Sequence, residues 1–442
     1  MSPRPSALLC LVACLGPGAH AAEPPPPLIA YVGATLFDAT QPAPRADMVI
    51  AVQGARIVAV TAAADFHAGK DQQVIDVHGR YVVPGLINTH VHLATSAEPA
   101  PARAYLRREL YSGITTVRDM AGDVRLLAEL KREADLDEIA APDIVYAALM
   151  AGPDFFIDPR THDAARGQVA GQVPWMRALT PQSDLPRVVA EAHGTGASAL
   201  KLYADLGAPL VKAVTEEAHR QHMLVWAHAA VFPALPLDAV EAGVDVMSHA
   251  CMLGYQVSQP PMTGYHEKRP VDLAQVKRSQ AQMQALYARM KAQGIVLDAT
   301  VSVYDRGEPF PSCPPGDADF LARQAYQAGV PISTGTDDDF DWKDPDSALF
   351  EELALLAERV GMSPAEIIRA ATLTGARVTG MERDAGTLEP GKLANFVVLA
   401  SDPLQKVSNL KSVVTVVKHG IAYQRADYVP ATAESIQRAA GN

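Results

Sequence analysis

The sequence has few cysteines, fewer basic than acidic residues and no internal repeat, and each of these limits the class of protein. Its 38 lysines and arginines are outnumbered by 50 aspartates and glutamates, which gives a net charge of −12. Nucleic acids and anionic membranes both attract a basic surface, so this balance argues against either as a partner. Hydrophobic residues make up 48% of the 442 residues, which is enough to build a large buried core.

Residues 1–21 have the pattern of a secretory leader. One basic residue, Arg4, precedes an apolar run over residues 7–15, and residues 19–21 form a small-x-small cleavage signal. The apolar run is too short to span a bilayer as a permanent helix. The sequence that ends at Cys14 also resembles a lipoprotein box, so the alternative is a lipid anchor at this cysteine. Both interpretations predict export, as a periplasmic or secreted protein or as a membrane-anchored lipoprotein.

Cys10 and Cys14 lie in or beside the leader, which leaves Cys251 and Cys313 for the folded protein. An exported protein meets an oxidising environment, and this permits a disulfide bond between the two remaining cysteines. Two unpaired thiols are the alternative, and the sequence does not choose between them.

Short alternating apolar runs at both chain ends predict a small β domain. Residues 28–83 follow a proline-rich tether at 22–27 and contain several such runs separated by glycines, the pattern of an antiparallel sheet with tight turns. The short runs within residues 384–442 resemble them. We therefore expect the two ends to pair into one small β-sandwich domain.

Between these ends, residues 84–383 alternate strand-like apolar runs with helical patterns. Strands are predicted at 84–93, 114–117, 143–149, 197–203, 223–228, 244–249, 295–301 and 330–336. Eight such units over about 270 residues fit a (β/α)8 TIM barrel, an α/β fold of typically about 250 residues. Residues 152–182 and 254–270 are predicted as long loops, and residues 272–293 as one long helix.

Polar residues that can bind a metal end several of these strands. His90 and His92 lie at i and i+2, so both imidazoles extend from one face of the first strand. Lys201 lies near the end of the fourth strand, and the fifth, sixth and eighth strands end at or just before His228, His249 and Asp337. A single histidine in such a position is more often packed in a core, but the carboxyl ends of barrel strands meet at one mouth. Together these residues predict a metal site.

The motifs around these residues resemble the amidohydrolase superfamily, in its imidazolonepropionase-like and dipeptidase-like branch with two metals. The resemblance extends from about residue 28 to the C-terminal sheet. It rests on the opening stretch at 84–92, the segment 113–119, Lys201, residues 227–229, 248–250 and 334–337, and the closing segment 386–395.

The resemblance implies two divalent metal ions, with Zn²⁺ expected because imidazole nitrogens and carboxylate oxygens suit it. Mn²⁺, Fe²⁺ and Co²⁺ are alternatives, since such ligands do not select sharply. The resemblance assigns the buried ion to His90, His92 and Asp337, and the more exposed ion to His228 and His249. It also implies that Lys201 is N6-carboxylated, because a carbamate offers one oxygen to each ion where an ammonium would be repelled.

The implied chemistry is hydrolysis by a metal-bridging hydroxide, since the metals lower the pKa of bound water from about 15.7 toward about 7. Asp337 is the expected catalytic residue, which carries the proton to the leaving amine. The resemblance thus predicts an exported metal-dependent amidohydrolase whose small-molecule substrate is a dipeptide, an N-acyl amino acid or a similar amide. The alternatives are a cyclic amide, lactone or phosphoester at the same site, or a non-catalytic binding protein on this scaffold. The family often forms dimers or larger assemblies, so a homo-oligomer is a further expectation.

Candidate substrate-binding residues are Tyr203, Tyr304 and Arg160, which could bind a carbonyl or a carboxylate. Aromatic packing explains the two tyrosines equally well, and loop polarity explains Arg160. Arg118 and Asp119 follow the second strand and either orient metal-site groups or form a structural ion pair. The loops after the metal-site residues depart from the better-known dipeptidase pattern, which leaves the substrate class open.

Overall fold

The computed structural model describes residues 26–69, 72–96, 98–306, 312–339 and 342–440. The predicted leader at 1–21, Cys14 and most of the tether at 22–27 lie outside the described residues. Within the described ranges, no helix has the length and apolar character needed to cross a membrane.

The strands of the described residues fall into two groups, one from the chain ends and one from the centre. They are β1 (Leu28–Leu36), β2 (Arg45–Gln53), β3 (Arg56–Ala62), β4 (Gln73–Asp76), β5 (Tyr81–Pro84), β6 (Leu86–His92), β7 (Ile114–Asp119), β8 (Asp143–Ala151), β9 (Gln172–Val173), β10 (Met176–Ala178), β11 (Ala199–Leu202), β12 (Leu224–His228), β13 (Val246–Ser248), β14 (Val296–Asp298), β15 (Ile332–Ser333), β16 (Asp338–Asp339), β17 (Phe396–Leu399), β18 (Val413–Lys418) and β19 (Ile421–Gln424).

The helices of the described residues lie between the central strands and after the last of them. They are α1 (Pro99–Tyr111), α2 (Val124–Asp135), α3 (Pro159–Ala164), α4 (Leu185–His193), α5 (Ala208–Arg220), α6 (Pro236–Glu241), α7 (Leu273–Arg278), α8 (Gln280–Gln293), α9 (Pro315–Gln327), α10 (Leu349–Leu355), α11 (Pro364–Arg369), α12 (Gly375–Thr379) and α13 (Ala433–Ala440). Two π-helical turns, Leu356–Val360 and Ala370–Thr374, follow α10 and join α11 to α12.

Strands from both chain ends form one sheet, in the order β19-β18-β17-β5-β1-β2-β3, with β4 also paired to β1. The two ends of the chain meet where β5 runs antiparallel to β17. Alternate residues of these strands build a separate core, in which the rings of Tyr31 and Phe396 lie 5.0 Å apart. The predicted small β domain from both ends is confirmed.

The expectation that this sheet is antiparallel throughout is wrong for one strand. β1 runs parallel to β4 along its first half and parallel to β5 along its second half. The reason is that β4 and β5 follow one another in the same direction beside a single long strand, with a tight turn at Gly79 (φ 70°) between them. A mixed sheet results.

The central strands form a parallel sheet in the order β6-β7-β8-β11-β12-β13-β14-β15, and β16 returns to pair with the other edge of β6. Two backbone hydrogen bonds support this closure, from Thr89 N to Thr334 O at 3.0 Å and from Asp337 N to His90 O at 2.9 Å. The eighth barrel strand is therefore split into β15 and β16. The predicted barrel is confirmed, and every predicted strand position is occupied.

Two predicted segments differ from the structure. The loop at 152–182 contains α3 and the short strands β9 and β10, and β10 extends the barrel sheet beside β8. The helix predicted at 272–293 is two helices, because the backbone at Ser279 (φ −105°, ψ 32°) leaves the helical region between α7 and α8.

Candidate metal centre

The carboxylate of Asp337 meets the two histidines of the first barrel strand. Its Oδ1 lies 3.1 Å from Nε2 of His90 and 3.1 Å from Nε2 of His92. Close packing makes this possible: Gly335 lies against His90, and a Cβ at this position would lie 2.5 Å from the Cβ of the histidine. The two strand edges that close the barrel thus bring three of the predicted ligands together.

His249 completes a cluster on the other side of the carboxylate. Its Nδ1 lies 3.7 Å from Oδ2 of Asp337, and ligand atoms of His90, His249 and Asp337 all lie within 4.8 Å of one another. His249, Asp337 and Thr300 have positive φ angles of 75°, 52° and 48°. Such backbone conformations are uncommon for residues other than glycine and concentrate at functional sites.

Lys201 and His228 lie beside this cluster, at the ends of β11 and β12. The ring of His228 is 4.7 Å from that of His249. Lys201 is fully buried, and its Nζ has no hydrogen-bond partner among the described residues, nor has Nδ1 of His228 or Nδ1 of His92. Five of the six predicted ligands line one cavity at the barrel mouth, and the sixth, Lys201, is close enough for its charge to act on the pKa values of His228 and His249.

This donor set fits divalent metal ions. Buried polar atoms rarely lack a partner, and here Nζ of Lys201 and Nδ1 of His228 do so beside the cluster formed by His90, His249 and Asp337. Nitrogen and oxygen donors of this kind suit Zn²⁺ and its neighbours in the first transition row.

The electrostatics of His228, His249 and Asp337 favour protonation states that can bind a metal, whereas for His92 the effect of burial is outweighed by the hydrogen bond and charge of Asp337, which raise the pKa of its imidazole. Burial lowers the pKa of His249 to about 3 and, together with Lys201, holds the pKa of His228 well below its usual value. Burial opposes ionisation of Asp337, but His90 and His249 hold the pKa of its carboxyl well below the usual range. Neutral imidazoles and an ionised carboxylate are the forms that act as ligands.

Asp298, at the end of β14, orients His90, and sequence reasoning missed it. It accepts hydrogen bonds from Nδ1 of His90 at 2.7 Å and from Oγ1 of Thr89 at 2.7 Å. Burial alone would raise the pKa of Asp298, but Arg118 and the hydrogen bonds from His90 and Thr89 hold it far below its usual value. The sequence did contain a signal for this role, because Asp298 is an acidic residue within the otherwise apolar run 295–301.

Arg118 and Asp119 contact different groups and do not form an ion pair with each other. Arg118 donates to Oδ2 of Asp298 at 2.8 Å and lies over the ring of Trp226 at 4.6 Å. Asp119 accepts from the backbone of Leu93 at 2.6 Å and of Ala121 at 2.9 Å. Arg118 therefore acts on His90 through Asp298, and Asp119 fixes the chain just beyond His92.

A cavity of about 230 Å³ lies above the metal-site residues, and all three predicted substrate residues line it. Tyr304 is buried, and burial together with Asp337 raises the pKa of its phenol well above the usual value. The ring of Tyr203 is 4.0 Å from that of His228. Arg160 is more exposed, and Oδ2 of Asp158 accepts a hydrogen bond from its guanidinium at 2.8 Å.

The loops after the sixth and seventh strands form the remaining wall of the cavity. Tyr265 and Lys268 lie on this wall, and sequence reasoning missed both. Cys251 and Cys313 also line the cavity and form a disulfide bond, with their Cα atoms 6.3 Å apart. Of the two alternatives that the sequence left open, a disulfide bond or two free thiols, the structure contains the disulfide bond.

A closed (β/α)8 barrel with imidazoles, a carboxylate and an unpartnered lysine at its mouth defines a metal-dependent barrel hydrolase as the class. Residues 81–422 match the amidohydrolase family. The chain belongs to the amidohydrolase family, and it is a hydrolase that acts on carbon–nitrogen bonds.

Two relatives with known activities cover most of the chain. The imidazolonepropionase of Symbiobacterium thermophilum is 26% identical over 380 residues, which cover 80% of this chain and 83% of the relative. The imidazolonepropionase of Micrococcus luteus is 26% identical over 373 residues, which cover 80% of this chain and 87% of the relative.

Solved structures share the fold. A Xaa-Pro dipeptidase with bound methionine superposes with a TM-score of 0.71 at 21% identity, covering 90% of this chain and 100% of that chain. The ochratoxinase of A. niger superposes with a TM-score of 0.70 at 20% identity, covering 90% of this chain and 96% of that chain.

Proposed function

We propose that the protein is an exported hydrolase that cleaves an amide or peptide-like C–N bond of a small molecule at two divalent metal ions. The observation that carries this proposal is the convergence of Asp337 with His90, His92 and His249 at the mouth of the barrel. Export rests on the predicted leader at 1–21.

The proposed ligands divide into two sets, one for each metal ion. His90, His92 and Asp337 would hold the buried ion, and His228 and His249 the more exposed one. Lys201 would bridge the two as an N6-carboxylated lysine. Burial, with a further contribution from Arg118, lowers the pKa of Lys201 to about 7, so a neutral amine that can react with CO₂ is available near neutral pH.

The chemistry that two bound ions, most simply Zn²⁺, would supply is Lewis acidity toward the scissile carbonyl and activation of water near neutral pH. The protein's own groups supply positioning and proton transfer. Asp337 would accept the proton of the attacking water and deliver it to the leaving amine, because an amine leaves an amide only when protonated. Its Oδ1 lies 3.1 Å from Nε2 of His90 and of His92, and these contacts would hold the carboxylate beside the attacking water.

Tyr304 would stabilise the carbonyl oxygen. Its raised pKa keeps the phenol protonated at neutral pH, so that it can donate a hydrogen bond. It lines the same cavity as Asp337, on the segment that follows β14.

A cyclic amide is the second candidate substrate, and the similarity to two imidazolonepropionases over 80% of the chain favours it. The same centre serves a ring or a linear amide, since the two reactions differ only in whether the amine departs from the product.

The test is a substrate panel assayed with the purified full chain, whose metal content is measured beforehand. N-acyl amino acids, dipeptides, cyclic amides, lactones and phosphoesters are compared with and without a chelator. We expect hydrolysis of at least one amide, loss of activity with the chelator and recovery on adding Zn²⁺. Chelator-resistant activity, or activity on lactones or phosphoesters alone, would contradict the proposal.

A second experiment tests export. Cell fractionation of the full chain is expected to place the protein outside the cytoplasm, and Cys14→Ser separates ordinary export from a lipid anchor. An unprocessed protein in the cytoplasm would refute this part of the proposal.

A further inference from the structure

The segment after the sixth barrel strand covers one side of the cavity. A 3-10 turn, Tyr265–Glu267, places Tyr265 on the cavity wall. The carboxylate of Asp205 accepts a hydrogen bond from the backbone N–H of Tyr265 at 2.7 Å, and the hydroxyls of Tyr203 and Tyr265 lie 3.2 Å apart. These contacts join the turn to the residues that follow the fourth strand.

The turn completes an aromatic surface beside the metal-site residues. The ring of Tyr203 lies 4.5 Å from that of Phe155 and 5.3 Å from that of Tyr265. The same ring is 4.0 Å from His228. A substrate held at the centre therefore has this aromatic surface beside it.

Lys268 brings a positive charge to this surface. Its Nζ lies 3.8 Å from the centre of the Tyr265 ring, and the residue lines the cavity. No carboxylate in the described part of the chain lies within 4.0 Å of this ammonium.

The neighbouring carboxylates do not pair with Lys268. Glu267 accepts from the hydroxyl of Thr263, and Asp205 accepts from the backbone of Tyr265. Arg160, the other cation of the cavity wall, is paired with Asp158. Lys268 is therefore the better placed of the two cations to bind an anion that enters the cavity.

Acidic side chains and Lys268 lie on opposite sides of the barrel mouth. Asp337 and Asp339 belong to the eighth strand, and Asp339 pairs in register with His92 of the first. Lys268 lies over the ring of Tyr265, which is stacked 6.2 Å from that of His228 on the fifth strand, and the fifth strand stands opposite the first in a closed eight-stranded barrel. An amide that reacts beside Asp337 can therefore extend its far end toward Lys268.

We infer that Lys268 selects substrates with a carboxylate on the portion that lies against Tyr203 and Tyr265, such as an N-acyl amino acid or a peptide with a free C-terminus. The inference deepens the proposed function and rests on it, because it names the substrate class of the same site. An ammonium held over an aromatic ring and free of carboxylates gives a charge-assisted hydrogen bond to such a group.

The test compares two probes that differ only in charge, N-acetylphenylalanine and N-acetylphenylalaninamide, with acetate release as the readout. Lys268→Gln is expected to lower kcat/KM for the acid by about 10- to 100-fold, mainly through KM, which is the range of one hydrogen bond to a charged group. The amide should change by less than about threefold. Lys268→Arg should restore most of the preference, and Lys212→Gln on the exposed face of α5 should leave it unchanged.

Binding of the same two probes to the wild type and to Lys268→Gln, measured by calorimetry, separates this inference from the proposed function. If neither probe is hydrolysed but the wild type binds the acid more tightly, and the substitution removes that difference, Lys268 selects the carboxylate although these amides are not substrates. An acid preference that survives Lys268→Gln, or no preference in the wild type, overturns the inference. In the first case another positive group, Arg160 or the metal centre, binds the carboxylate.

Discussion

The inner floor of the mouth and its outer wall are built differently. On the floor, His90, Asp298 and Arg118 are buried and joined by hydrogen bonds of 2.7 and 2.8 Å. On the wall, Lys268 and Tyr265 are only half-buried and stand on a short turn. The floor is fixed by regular strands, whereas the wall depends on loop contacts.

This difference separates chemistry from selectivity. Strand ends hold reacting groups rigidly, and loops between them can change length and composition without disturbing the barrel. We therefore expect changes in the floor to act on turnover and metal binding, and changes in the wall to act on KM and on the choice of substrate.

The largest effect is expected for Asp337→Asn in the floor. An amide side chain cannot shuttle a proton, so kcat should fall by about 10²- to 10⁴-fold or more. Metal analysis should show that much of the metal is retained, because the imidazoles and Lys201 remain. Full activity of this variant would remove Asp337 from the mechanism, and Lys212→Gln serves as the control for handling and folding.

A smaller effect is expected for Asp298→Asn, one step further from the substrate. Loss of a carboxylate behind a ligating histidine lowers metal affinity by about 10- to 100-fold, which a competition titration with a chelator measures. Stability should also fall, by about 3–5 kcal/mol, because the buried charge of Arg118 loses its partner.

Adding Arg118→Met to Asp298→Asn removes the unpaired buried charge and therefore the loss of stability that it causes. The double variant then reports the effect of Asp298 on metal affinity alone. Unchanged metal affinity in both variants would show that Asp298 is structural only. Urea unfolding of each variant, with and without bound metal, separates the loss of stability from the loss of affinity.

The smallest effect on chemistry is expected for the wall variant Cys251→Ala/Cys313→Ala. Loss of the disulfide should reduce the free energy of unfolding by about 2–4 kcal/mol. KM should rise because both residues line the cavity, while kcat and metal content should stay near those of the wild type. Reduced wild-type protein is the matched control. A fall in kcat with loss of metal would break the distinction between floor and wall.

Much of the floor could be predicted from residues on single strands. His90 and His92 share a face because side chains alternate along a strand, and barrel polarity brings the ends of separate strands to one mouth. The split of the last strand could not be predicted, because it depends on the pairing of Asp337 and its neighbours with β6.

By itself, the sequence determined the alternation of strands and helices, the small sheet from both ends and the set of polar residues at the strand ends. These follow from local periodicity and from the constant polarity of a parallel barrel. Only the tertiary structure decided that Asp298 holds His90, that Cys251 is bonded to Cys313 and that Lys268 faces the cavity. The physical reason is that each depends on contacts between segments far apart in the chain, and two of the three lie in loops that have no periodicity to read.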